Sequence, residues 1–198
     1  MGVVVVWAAA GCAAGSSTRA FAGPDGVSIQ HQEADLQCVP FARAQSGVDL
    51  RGDAGRWWAL AADRYARGRT PAPGAVLVLA GKRDPSRGHV AVVRAVRDDG
   101  RSVGELRIDH ANWLNRGDVA RGVPVRDASA DGDWSRVNVW HAPTGTWGLH
   151  DYRVVGFIYP EPPGWRPPPL YAARIRAPRV KPTAPGALYA VASSSSSP

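Results

Sequence analysis

Cysteine is scarce in this 198-residue chain, with only Cys12 and Cys38. At most one disulfide is possible, and no zinc-finger spacing exists. The chain also lacks paired His, Asp or Glu at helical or hairpin spacing around His141 and His150, so neither a metal nor another cofactor is expected. It has no long internal repeat. Its one apolar run at the start, residues 3–14, is too short to span a bilayer comfortably and is not preceded by the usual basic residues. Acidic residues are outnumbered: the net charge is +7 and the pI about 10.1. The positive charges are nearly all Arg, with no RNA-binding aromatic motif beside them. Nucleic acid is therefore not the expected partner, and an anionic wall or membrane face suits the charge better.

What is present divides the chain into three. Residues 1–22 read as an export segment ending at the small-x-small site Ala20-Phe21-Ala22, and the protein is expected to be periplasmic, envelope-bound or secreted. Ala9-Ala10-Gly11-Cys12 offers a second reading, a lipid anchor on Cys12. Either route leaves Cys38 unpaired. Residues 23–160 hold the patterned sequence of one domain, expected to be monomeric. Residues 161–198 are rich in Pro, Ala, Arg and Ser and read as a disordered tail whose basic side chains could contact anionic surfaces.

Within the domain, residues 36–47 fit a short helix, with Pro40 in its first turn and Gly47 at its end, which puts Cys38 at a helix N-terminus. A second helix is expected over residues 53–67, with Asp53 as its cap. Strands follow at 75–80, 89–97, 106–113, 123–125, 137–140 and 152–159, separated by turns such as Asp84-Pro85 and Asp98-Asp99-Gly100. Helices first and an antiparallel sheet afterwards predict an α+β fold.

The chemistry concentrates on few residues. A thiol at a helix N-terminus meets unpaired N–H groups that favour its ionised form, and the N–H of Cys38 could serve an oxyanion. His89 opens a strand after Gly88, where an imidazole can face a cleft and act as base. The base needs an orienter, and residues 106–113 offer Asp109, His110 and Asn112. If Leu106 and Ile108 face the core, strand alternation puts His110 and Asn112 on that face and Asp109 with Arg107 toward solvent. His110 is favoured, then Asn112, then Asp109. The loop 81–87 beside His89 reads as a possible gate.

Four stretches, Leu36-Gln37-Cys38-Val39-Pro40-Phe41-Ala42-Arg43, Pro73-Gly74-Ala75-Val76-Leu77-Val78-Leu79, Gly88-His89-Val90-Ala91-Val92-Val93 and His110-Ala111-Asn112-Trp113, resemble CHAP domains (cysteine, histidine-dependent amidohydrolases/peptidases) in order and spacing. Val155-Gly156-Phe157-Ile158-Tyr159 resembles the family's closing strand. The resemblance implies a papain-like fold, N-terminal helices packed on an antiparallel sheet or partial barrel, related to the NlpC/P60 group. It also implies hydrolysis of peptidoglycan amide bonds, by an N-acetylmuramoyl-L-alanine amidase or a peptide endopeptidase. Cys38 matches the nucleophile and His89 the base. Where the family often has Glu two residues before the Asn-Trp pair, this chain has His110, the residue type that a neighbouring clan uses as third member. Gln37 and Trp113 are expected to touch substrate, while Gln32, compared with the oxyanion glutamine of papain-like enzymes, reads as a surface residue. The competing reading is a binding or scaffolding module of the same fold, without turnover.

Overall fold

The structure, a computed structural model, describes residues 20–22, 26–31, 35–97 and 104–168. The readings that fall on residues 1–19, including Cys12, on Gln32, on the turn at 98–100 and on residues 169–198 lie outside the described residues. In chain order the elements are β1 (Ala20–Ala22), β2 (Ser28–Gln30), α1 (Cys38–Ser46), α2 (Trp57–Leu60), β3 (Arg67–Gly68), β4 (Val76–Leu79), β5 (His89–Arg97), β6 (Glu105–Ala111), β7 (Val119–Asp127), β8 (Arg136–His141) and β9 (Thr146–Ile158).

The α+β expectation is overturned. Strands β4 to β9 pair antiparallel in sequence, and β9 returns to pair with β4, which closes a six-stranded barrel. The helical part is small: α1 has nine residues and α2 four. The fold is therefore mostly β, not N-terminal helices laid on an open sheet. Two local causes explain the difference. The expected helix over 53–67 breaks into a 3₁₀ turn, Ala54–Arg56, and the single turn of α2. Asp63 then takes a left-handed backbone (φ 59), which a short polar side chain tolerates but a helix does not. Strand β9 begins at Thr146, six residues before its expected start, because Thr146, Trp147 and Asp151 pair with His141, Trp140 and Asn138 of β8. The barrel closes at the other end of β9, where residues 154–158 pair with β4.

The pleat sorts the side chains. Leu77, Leu79, Ala91, Val93, Leu106, Ile108, Val123, Val125, Val137 and Phe157 pack together inside. Val76, Val78, Val90, Val92 and Ile158 point outward, where Ala42, Val48, Leu50, Trp57 and Ala61 of the helical layer cover them. Both faces of β4 are thus buried, which accounts for its uninterrupted Val-Leu-Val-Leu. Chain packing continues past β9: Ala66 N–H bonds Glu161 O at 2.8 Å, and the ring of Trp165 lies 4.9 Å from that of Tyr159.

Candidate active site

Helix α1 begins at Cys38. Its capping residue, Gln37, has extended backbone and provides no side-chain cap, so the first N–H groups of the helix are left for another acceptor. At the other end Gly47 adopts φ 76 and its N–H bonds Arg43 O, closing the helix. The sulfur of Cys38 accepts hydrogen bonds from the backbone N–H groups of Cys38 and Val39, and of Val90 on β5. The sulfur is therefore tied to the residue that follows His89. Burial pushes the Cys38 thiol above its ordinary value, outweighing these three N–H groups. At rest the group is a thiol, and the helix N-terminus alone does not ionise it.

His89 is the first residue of β5, paired with Leu79 at the end of β4. It shares the inner face with Ala91 and Val93, whereas Val90 looks toward the helix layer. Gly88 is needed here for space: a Cβ on it would stand 1.8 Å from Leu79 O, so glycine lets the two strands close at this end of the barrel.

Alternation along β6 puts Leu106, Ile108 and His110 inside. His110 Nδ1 lies 3.1 Å from His89 Nε2, in an edge-on ring arrangement with 5.2 Å between centroids. Both rings are buried, 8% and 1% exposed. Burial drives His89 well below the ordinary imidazole range, with the neighbouring His110 adding to it, and burial lowers His110 to about 3. Two neutral imidazoles result. One nitrogen must donate and the other accept. If His89 Nε2–H donates to His110 Nδ1, then His89 Nδ1 is a free base and His110 carries its proton on Nε2. That Nε2 is buried without a partner among the described residues.

The other two residues considered as orienters go elsewhere. Asp109 points to the outer face, where its carboxylate meets Arg94 (2.9 Å), Arg121 (3.1 Å) and Gly122 N–H (2.8 Å). A register shift in β6 against β7 puts Gly122 opposite it. Asn112 lies just past β6 with a left-handed backbone (φ 58). Its amide donates to Gln37 Oε1 at 2.6 Å and its carbonyl accepts from Gly117 N–H. It thus tethers the end of β6 to the residue before Cys38 instead of reaching His89. Gln37 is exposed beside the sulfur.

Trp113 stacks obliquely on His89 (4.7 Å) and His110 (5.4 Å) and meets Tyr152 at 4.9 Å. A groove of about 220 Å³ opens here, lined by Gly81, Lys82, Arg87, His89, Trp113 and Tyr152 among others. Sequence reasoning missed Tyr152, since only the closure of β9 against β4 brings it beside Trp113; Lys82 and Arg87 belong to the loop 81–87 already read beside His89, but not as groove-lining residues. The loop read as a gate is held: Asp84 accepts from Ser86 N–H (2.9 Å) and Oγ (2.7 Å), and Gly55 has no room for a Cβ beneath Pro85 O. The Ser86 bonds hold the Asp84 carboxyl below its usual range.

A thiol-bearing helix start, a neutral imidazole and a second imidazole behind it are groups that thiol-based acyl transfer can use. No curated protein gives a significant match to the chain. The family model for the CHAP domain does match, over residues 29–112, from β2 through Asn112. CHAP domains form a family of amidases and peptidases of the peptidoglycan-hydrolase type. Residues 29–112, the stretch that carries Cys38, His89 and His110, are a CHAP domain.

Proposed function

We propose that this protein is an exported cysteine hydrolase that cleaves amide bonds of peptidoglycan through a thioester on Cys38. The observation that carries the reading is the buried His89–His110 pair, joined at 3.1 Å, one residue from the Val90 amide against which the Cys38 thiol sits. Because thiol and imidazole are both neutral at rest, His89 Nδ1 takes the thiol proton as Sγ attacks the carbonyl, as a general base. In this reading the Gln37 side-chain amide, exposed and tethered through its Oε1 to Asn112, and the N–H of Cys38, once the sulfur has attacked, donate to the oxyanion. His89, now charged and hydrogen-bonded to His110, gives its proton to the leaving amine, and water activated by the same imidazole clears the thioester. His110 is the positioning residue. The apolar segment and Ala20-Phe21-Ala22 support export, and the basic residues after 165 support contact with an anionic wall.

The test is mass spectrometry of soluble fragments released from purified peptidoglycan by the chain and by its Cys38→Ala variant. Fragments that require the thiol are expected. New ends at the lactyl–alanine bond would identify an amidase, and ends within the peptide an endopeptidase. Equal release by Cys38→Ala would overturn the mechanism.

A further inference from the structure

The proton transfers above leave the groove beside His89 without a role. It lies on the inner-face side of the imidazole, while the Cys38 sulfur approaches from the helix side through Val90. Its volume, about 220 Å³, is below the roughly 300–1,000 Å³ of sites for drug-sized ligands and suits one or two amino-acid residues. Trp113 and Tyr152 give it aromatic walls, and Lys82 and Arg87 give it two cations. No Asp or Glu lines it. Asp84, on the same loop but outside the groove lining, is bonded first by Ser86 and feels Arg87 only as a smaller Coulombic influence. Among the described residues neither Lys82 nor Arg87 has an ion-pair partner within 4.0 Å. The Lys82 ammonium instead stands 5.6 Å from the Tyr152 ring centroid.

We propose that this groove receives the peptide on the amine side of the cleaved bond and that Lys82 and Arg87 hold a carboxylate of that peptide. The direction of the substrate rests on the hydrolase reading, since the imidazole that borders the groove is the group that protonates the leaving amine. The binding itself does not. Two cations facing an acid-free groove select an anion, and charge-assisted hydrogen bonds to a carboxylate are stronger than those to an amide. The aromatic walls then accept the apolar part of the same residue.

The experiment is calorimetric titration of the full chain carrying Cys38→Ala with L-alanyl-γ-D-glutamyl-L-lysine, and with the same peptide bearing amides in place of its free carboxylates. The acid is expected to bind about tenfold more tightly than the amide. Combined Lys82→Gln and Arg87→Gln should remove that preference without weakening the amide. Arg83→Gln, on the same loop but outside the groove, should leave it intact. Equal affinity for the two peptides, no binding of either, or an equal loss with Arg83→Gln would overturn the proposal. Fragment release by the unmodified chain separates the two readings. A carboxylate preference without release keeps the groove and sinks the hydrolase; release without a preference does the reverse.

Discussion

At the scale of single residues, burial keeps two histidines uncharged near neutral pH. His110 titrates at about 3 in the folded chain against an ordinary 6.5, and His89 is lowered in the same direction. Between those values the unfolded chain binds protons that the folded chain refuses. Stability is therefore complete above pH 6.5 and falls as the pH drops through this window. At pH 5 the loss due to His110 is about 2 kcal/mol. Melting curves between pH 7 and 5 should show the decline, and His110→Asn should flatten it. In kinetics, His110→Ala is expected to lower kcat about 100-fold by freeing the His89 ring, with His110→Asn retaining part of the activity. The acid limb of the kcat/KM profile should lie below pH 6.5, because His89 stays an acceptor there. The inward face of His110 was legible in the sequence, since the period of two holds along β6 from Leu106 to His110; the burial of Asp109, expected toward solvent but 2% exposed among Arg94, Arg121 and Gly122, was not. The role of Asn112 was not, because its left-handed backbone turns the side chain toward Gln37.

The elements differ in what holds them. The C-terminus of α1 needs a residue that accepts φ 76, and nothing lies within 4 Å of where a Cβ would stand on Gly47. Gly47→Ala should therefore cost only the conformational penalty, about 1 kcal/mol in denaturant unfolding, with activity retained. Gly88→Ala meets Leu79 O at 1.8 Å and must pry β5 from β4 at the residue that carries the base. Its loss of activity should exceed that of Gly47→Ala by at least tenfold, measured as fragment release by equal amounts of folded protein. A reversed ranking would remove Gly88 from the explanation of how His89 is positioned. Helix α1 was readable because Pro40 and Gly47 mark its first turn and its end. The next helix was not, because nothing in the local pattern marks its end at Leu60 or the left-handed backbone of Asp63.

For the whole molecule, the decisive contact is between the helical layer and the outside of the barrel. Trp57 is fully buried there, against the outward side chains of β4, β5 and β9. Trp57→Ala should cost about 3–5 kcal/mol by chemical denaturation, and it should loosen the layer that brings Cys38 to Val90. Accelerated alkylation of Cys38 by iodoacetamide, under conditions where the barrel stays folded, would report that loosening. An unchanged alkylation rate would mean that the barrel holds α1 without this contact.

By itself the sequence determined the local pieces: a cysteine at a helix start, a histidine opening a strand, a second histidine on the inward face of the next strand, and the CHAP resemblance that the match over residues 29–112 shows. Those signals are local, carried by period, turn residues and motif spacing. Only the tertiary structure decided that the sheet closes into a barrel and that Tyr152, Lys82 and Arg87 meet around His89. It also decided that the thiol and both imidazoles rest neutral. Closure depends on β9 pairing with β4, far earlier in the chain, a partnership that no local pattern specifies, and neutrality depends on desolvation, which exists only once the chain has packed.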